Sequence, residues 1–434
     1  MQLLFKPLLR LGISPSIQAA AMWSILESFA GPLFSLILIP VLTHNLGLEN
    51  YGLYVMVMAF VGLFSFAGLG MSTSVTYLLS VNFDILNNKN IAERIGTAIG
   101  ITLCGTITLS LLLFITFEIY ISNFEKIFPQ FISHKPLIYC GLVLLSLTQC
   151  EAILSSALKG LQQFKVSSKL ELLIRFVNFS VITATAVMFK SILAITICTV
   201  LVTFFSLITR YIALRKIAGL KILDIRLNSG YGHELFHFGK WMTLQSVSGA
   251  LFVSFDKVII GGLLGSKVVG IYNILSTLTQ LVHFVPANMA VFILPKIAKN
   301  NKIITLNIFK KIFSLTIICS SLISIILIVL KPFIFLKFSI GSEFDNIFYW
   351  LIFSFILLSL NVPSYLIAIA LNLVKAVSLQ CIVGTILGIT SIFFLVSKYG
   401  VLGAVVSKII YALIALSLII PVLKKIKIVN HNEK

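Results

Sequence analysis

Charge is scarce in this 434-residue chain, and negative charge is scarcer still. Asp, Glu, Lys and Arg make up 11 % of it, with 14 acidic residues against 33 basic ones. A soluble domain carries roughly 25 % charged residues, so a soluble globular reading is excluded. Cysteine is sparse as well. Cys104, Cys140, Cys150, Cys198, Cys319 and Cys381 all fall in apolar segments without a CxxC pair. They read as small core hydrophobes, not as a disulfide or metal framework. There is no Walker motif, no His/Cys/Asp cluster at metal spacing and no Ser-centred nucleophile elbow. No polar stretch is large enough for an extramembrane domain, and the longest outer loop, 120–136, is under 20 residues. The chain therefore reads as a non-enzyme without a cofactor.

What is present is hydrophobic sequence: 59 % of the residues, with a mean hydropathy of +1.07. Crossing a hydrocarbon core of ~30 Å takes about 20 apolar residues. Twelve runs meet that length, at 17–42, 52–79, 97–121, 137–158, 170–189, 191–213, 239–262, 270–294, 309–330, 346–370, 376–396 and 401–422. The break near Lys190 is the least marked. A cleavable leader is disfavoured, because the repeat described below begins inside the first run.

The net charge of +19 invites a nucleic-acid reading, but its distribution favours membrane topology, so no nucleic-acid partner is expected. With a cytoplasmic N-terminus, 24 of the 33 Lys and Arg fall in inner loops, inner helix ends or termini. Outer loops receive Lys126, Lys135, Lys190, Lys267, Lys331, Lys337 and Lys398. That asymmetry matches the positive-inside rule and puts both termini in the cytoplasm. The clearest shift in composition, Arg215 to Lys240, reads as a basic cytoplasmic loop, with room for a short interfacial helix on the anionic inner leaflet. His233 and His237 stand there at i, i+4; nothing else completes a metal site, and they read as solvated loop residues.

One stretch occurs twice. Residues 23–54 match 241–272 without a gap, identical at ten of 32 positions and displaced by 218, about half the chain. Each copy ends in Leu-Gly-x4-Gly-x-Tyr. Such a match argues for duplication of a whole half, and in a membrane protein two such halves usually flank a substrate path. Six helices precede the repeat point, so the halves share one orientation. The expected fold is an all-α integral membrane protein of twelve helices in two parallel-repeat six-helix lobes around a central cavity. Its divisions are an N-lobe at 1–214, a basic linker at 215–238 and a C-lobe at 239–434.

Ionisable residues inside a span are costly and each suggests function. Glu27 lies near the middle of the first helix, one turn from Trp23 and from Gly31. Its repeat partner is Gln245, so the same depth is polar in both halves. Glu27 reads either as a transport group or as a protonated carboxyl hydrogen-bonded between helices. Asp256 and Lys257 lie in the outer third of the seventh helix; Lys257 is placed to snorkel, while Asp256 is too short and faces protein or water. Leu38 is the counterpart of Asp256. Glu171 and Arg175 are spaced i, i+4 in the order that favours an ion pair, and the guanidinium fork of Arg175 suits phosphate oxygens. Glu151 and Lys408 stand isolated in their spans, each placed to line a path. Arg210 and Lys159 lie at inner helix ends, as interface anchors do. Gly31-Pro32, Pro40, Pro286 and Pro363 interrupt spans, which fits either bent helices around a cavity or ordinary packing.

The first copy, from Leu46-Gly47 through Gly52 and Tyr54 to the Gly68-Leu69-Gly70 turn, resembles polysaccharide flippases of the Wzx type. These belong to the multidrug/oligosaccharidyl-lipid/polysaccharide (MOP) exporter superfamily. The second copy carries Asp256, Gly265, Gly270, Tyr272 and Pro295 where that family has them. The resemblance implies a V-shaped bundle of two lobes in the cell inner membrane, moving an undecaprenyl-pyrophosphate-linked oligosaccharide outward. On that basis Arg175 and Lys408 are expected to meet phosphate, Arg210 the headgroup at the cytoplasmic mouth, and Gln245 the substrate. Glu27, Asp256 and Glu151 are expected to couple transport to an ion gradient. Its partners would be the lipid-linked oligosaccharide, membrane lipids and other polysaccharide assembly proteins. A drug/cation exporter of the same superfamily, or a polysaccharide polymerase or ligase, are the alternatives.

Overall fold

The computed structural model describes residues 15–81, 88–119, 135–218, 228–291, 306–371 and 373–431. Among these there is no strand; the chain forms α1 (Pro15–Leu63), α2 (Met71–Val81), α3 (Asn88–Ile119), α4 (Lys135–Gly160), α5 (Phe164–Phe189), α6 (Ile192–Ala218) and α7 (Ser229–Leu264). It continues through α8 (Ser266–Thr279), α9 (Leu281–Val291), α10 (Leu306–Lys337), α11 (Asp345–Leu360) and α12 (Val362–Ala370). The last three are α13 (Val374–Tyr399), α14 (Val401–Leu416) and α15 (Ile419–His431).

Eleven helical segments of the described chain are long and apolar enough to cross a membrane. The first of these, Phe29–Gly68, is 40 residues long. At 1.5 Å per residue it would measure about 60 Å, twice the hydrocarbon thickness. It is broken at Gly47, whose backbone is non-helical (φ 79, ψ 164). Counted as two limbs, it gives the twelve crossings that the apolar runs predict. Gly265, the repeat partner of Gly47, separates α7 from α8 with nearly the same backbone angles (φ 93, ψ 165). A left-handed φ of this kind strains any residue with a Cβ, so both copies keep glycine at the turn. The weakly marked break near Lys190 is real: Lys190 is left-handed (φ 47) and its N–H closes α5 on Ala186 O.

The linker differs from expectation. Residues 219–227 lie outside the described set, but α7 already begins at Ser229 and runs unbroken into the membrane. His233 is therefore helical, not in a loop, and the side chain of His237 lies outside the described residues. Asn228 starts this helix: its side-chain Oδ1 accepts the Gly230 N–H (3.0 Å) and its carbonyl accepts the Gly232 N–H (2.9 Å).

The described chain forms two compact units. Unit 1 comprises residues 1–38, 67–114 and 142–240; unit 2 comprises 39–66, 115–141 and 241–434. Unit 1 packs around Met71, Leu79, Ile95, Ile153, Leu158 and Leu214. In unit 2 one core gathers Phe309, Ile312, Leu366, Ile367 and Val422. Large apolar side chains such as Phe189, Leu201, Val329, Leu336 and Phe394 point outward, as a lipid-facing surface requires.

Inside unit 2 the two repeat copies meet through their glycines. A Cβ on Gly52 would lie 1.8 Å from Ser266 O, and one on Gly270 would lie 2.8 Å from Leu48 O. Since 266 is 48 plus 218 and 270 is 52 plus 218, this is one contact made twice about a local two-fold axis. Asn273 Nδ2 adds a hydrogen bond to Tyr51 Oη (2.8 Å).

Candidate functional site

In unit 1 four helices bring three acids and three bases into one network. Helix α1 supplies Glu27, α4 supplies Glu151 and Lys159, α5 supplies Ser168, Glu171 and Arg175, and α6 supplies Ser206 and Arg210. The short link between α4 and α5 turns at Gln162, which is left-handed (φ 58). That link puts Lys159 and Ser168 beside the same carboxylate. Lys159 Nζ donates to Glu27 Oε1 (3.0 Å) and Ser168 Oγ to Glu27 Oε2 (2.5 Å). Glu27 is thus paired with Lys159, with 12 % of its side chain exposed. Lys159 holds that carboxylate instead of anchoring a helix end at the interface.

Glu171 and Arg175 form the expected i, i+4 pair, Arg175 Nε donating to Glu171 Oε1 at 3.1 Å. The other oxygen of Glu171 receives Arg210 Nη2 (2.5 Å), which also bonds Glu151 Oε1 (3.2 Å). Ser206, one turn before Arg210, donates to Glu151 and accepts from Arg210 Nε at 3.2 Å. The structure corrects two expectations. Arg210 does not stand at an open mouth, because its side chain is 1 % exposed and clamped by two carboxylates. Glu151 is not isolated, because it is one of those carboxylates. A buried guanidinium needs such partners, since desolvation without them costs several kcal/mol.

Arg175 is different. Its side chain is 36 % exposed, and apart from Glu171 its described contact is Nη1 to the Glu27 carbonyl at 3.4 Å. Gly31 makes room for it: a Cβ there would stand 2.3 Å from Nη1. Lys169 lies 5.0 Å above the Trp23 ring, bringing a further cation to the α1 side of the cluster.

In unit 2, Asp256 on α7 is 4 % exposed and fully engaged. Its Oδ2 accepts Lys408 Nζ (2.8 Å) from α14 and the Tyr272 hydroxyl (2.5 Å) from α8, and its Oδ1 accepts the Lys257 N–H (2.8 Å). Lys408, expected to be isolated, is a buried counter-ion that also lines a small pocket, with Nζ 4.7 Å above the Phe252 ring. Tyr272 was flagged by the repeat but not by its chemistry. The side chain of Gln245 and all of Pro295 lie outside the described residues.

A separate cavity in unit 2 has a volume of about 420 Å³ and opens between α7, α9, α11, α12, α13 and α14. Phe252 and Tyr411, stacked with centroids 4.0 Å apart, wall it off from a smaller pocket beside Lys408.

Among solved structures, the fold is similar to an inward-facing multidrug resistance MATE family transporter of the MOP superfamily (TM-score 0.66, 10 % identity, covering 94 % of this chain and 100 % of that one). It is also similar to an outward-facing MATE transporter (TM-score 0.62, 12 % identity, 96 % of each chain). A MOP superfamily transporter from Pyrococcus furiosus is a third (TM-score 0.56, 13 % identity, 95 % and 96 % covered). In sequence, a putative O-antigen transporter of Shigella flexneri is 27 % identical over 180 residues, which span 40 % of this chain and 43 % of that protein. Residues 18–301, about two thirds of the chain and the whole of the duplicated segment, match the polysaccharide biosynthesis protein family. The chain belongs to that family, as a multi-pass membrane protein with the fold of the MOP superfamily transporters.

Proposed function

We propose that this protein is a flippase. It moves an undecaprenyl-pyrophosphate-linked oligosaccharide from the inner to the outer leaflet of the cell inner membrane by alternating access, coupled to an ion gradient. Its lobes are 1–214 and 239–434, joined by the basic segment 215–238, with both termini cytoplasmic. Family membership and the likeness to a putative O-antigen transporter support this reading.

One observation carries it. The embedded carboxylates Glu27, Glu151, Glu171 and Asp256 each bind a cation of the chain itself. A cationic drug would find them occupied. Arg175, half-exposed with guanidinium donors to spare, instead suits an anionic oxygen. Glu27 is the foremost coupling group, because a proton arriving there releases Lys159, and Glu151 and Asp256 stand behind it. The likeness in fold to multidrug transporters favours the second reading, a drug/cation antiporter.

The test is carried out in cells. Deleting the gene should remove surface glycan and leave sensitivity to cationic drugs unchanged; intact glycan with new drug sensitivity selects the second reading. In the complemented strain Glu27→Gln should impair export at unchanged protein level. Arg175→Ala should impair export more than Arg175→Lys, and equal effects would remove bidentate phosphate contact from the mechanism.

A further inference from the structure

The 420 Å³ cavity of unit 2 falls within the range of small-molecule sites, about 300–1,000 Å³. Among the described residues no Asp, Glu, Lys or Arg lines it. Its polar groups are neutral: Gln280, His283, Asn361, Tyr365, Gln380 and Tyr411, set against the aromatic faces of Phe252 and Phe355. Asn361 is 8 % exposed and its Oδ1 has no hydrogen-bond partner; the Nδ1 of His283 has none either. A buried polar atom left unpaired costs on the order of 1–3 kcal/mol, so each side chain gains by turning that atom towards a polar group in the cavity.

Both orphans sit at helix breaks. His283 follows the break between α8 and α9, and Asn361 is the break between α11 and α12. Pro286 and Pro363 lie just beyond them, each next to a residue that lines the cavity, Ala287 and Val362. Ser359 Oγ donates to Val282 O (2.9 Å), which ties the two breaks together. The repeat adds an independent sign. Gly249 is the partner of Gly31, where Arg175 fills the space. At Gly249, which lines the cavity, a Cβ would meet nothing within 4 Å.

We propose that this cavity is a subsite for an uncharged sugar ring, with His283 and Asn361 as its specificity-determining contacts. Hydroxyls both donate and accept, which a neutral Asn carbonyl and an imidazole nitrogen can satisfy together. The absence of charged lining residues disfavours phosphate and metal cations, and the buried orphans disfavour a purely apolar lipid tail. The proposal deepens the flippase reading and rests on it.

Saturation-transfer NMR on the purified full-length chain tests it, with methyl N-acetylglucosaminide as the neutral probe and methyl glucuronide and glucosamine as charged ones. The neutral glycoside should show transfer and the charged sugars much less. Gly249→Phe, which fills the cavity, should abolish transfer, and His283→Leu with Asn361→Leu should weaken binding about tenfold. Each variant is compared at a retained unfolding midpoint. Transfer that survives Gly249→Phe, or that is equal for the charged sugars, overturns the subsite. In cells, surface glycan that persists without the gene overturns the flippase reading itself. Glycan lost on deletion but restored by Gly249→Phe overturns the subsite alone.

Discussion

Arg210 tests most directly whether unit 1 is held by buried charge. Its guanidinium is 1 % exposed and lies between Glu151 and Glu171, whose side chains are 20 % and 21 % exposed. Arg210→Met keeps the bulk and removes the charge. Two carboxylates are then left near one another without the cation between them, and breaking a buried pair in this way costs about 3–5 kcal/mol. For a unit of this size that corresponds to a fall of about 6–20 °C in unfolding midpoint. The triple variant Arg210→Met, Glu151→Gln, Glu171→Gln removes both carboxylates together with the cation between them; Arg175 also loses Glu171, but its side chain is 36 % exposed and can be solvated. The variant should recover most of the loss, since exchanging a buried ion cluster for neutral groups is often near neutral. Arg210→Lys should fall between, because an ammonium reaches one carboxylate but cannot span both as a fork.

Cys150 is buried directly beside Glu151, so it gives unit 1 its own reporter. With the other five cysteines replaced by serine, a thiol-reactive dye follows the exposure of Cys150 as the purified protein is heated in detergent. Arg210→Met within about 1 kcal/mol of the parent, or a triple variant no more stable than the single one, would refute the account of a buried triad.

Lys408→Met should destabilise unit 2 by a similar amount, about 3–5 kcal/mol, and Asp256→Asn should restore it; dye labelling at Cys381 on α13 checks this, and failure of the rescue removes the pair. Gly52→Ala drives a methyl onto Ser266 O, 1.8 Å from the ideal Cβ position, and backbone cannot step aside there. Gly47→Ala meets no neighbour and costs about 1–3 kcal/mol from its backbone conformation alone (φ 79, ψ 164). The first should therefore unfold at a lower temperature than the second, and the reverse order would contradict the close approach of the two repeat copies.

Twelve crossings, the Lys190 break and the Glu171–Arg175 pair were legible because each depends on local spacing. Hydropathy reports length, and i, i+4 reports a shared helix face. Glu151, Lys159, Arg210 and Lys408 were misread for the opposite reason. Their partners lie 59, 132, 59 and 152 positions away, and no periodicity in one sequence joins them. Ser206 preceding Arg210 by four was the sole local hint of a buried arginine. In the linker the charges look like those of a solvated loop, whereas from Ser229 the described chain is helical, started by Asn228 and carrying an exposed His233. His283 and Asn361 were missed for a third reason: neutral polar residues cost little in a hydropathy window, and only the unpaired atoms mark them.

Duplication gave both halves a glycine at the same place, and the structure fills one and leaves the other open. Gly31 and Gly249 are both helical, so by propensity alone an alanine at either would gain about 0.5–1 kcal/mol. At Gly249 nothing opposes that gain, because no atom lies within 4 Å of the new methyl. At Gly31 the methyl meets Arg175 Nη1 at 2.3 Å, so the arginine withdraws from the Glu27 carbonyl. Pro32 also disfavours a helical residue with a Cβ before it. Gly249→Ala should therefore raise the unfolding midpoint and Gly31→Ala should lower it, with Arg175→Met recovering the arginine's share of that loss. Equal gains at both positions would mean that Arg175 does not occupy the space at Gly31. An opposite response from two residues that descend from one would locate the functional divergence of the halves at this depth. One half has spent its gap on holding a cation, and the other has kept it as a cavity.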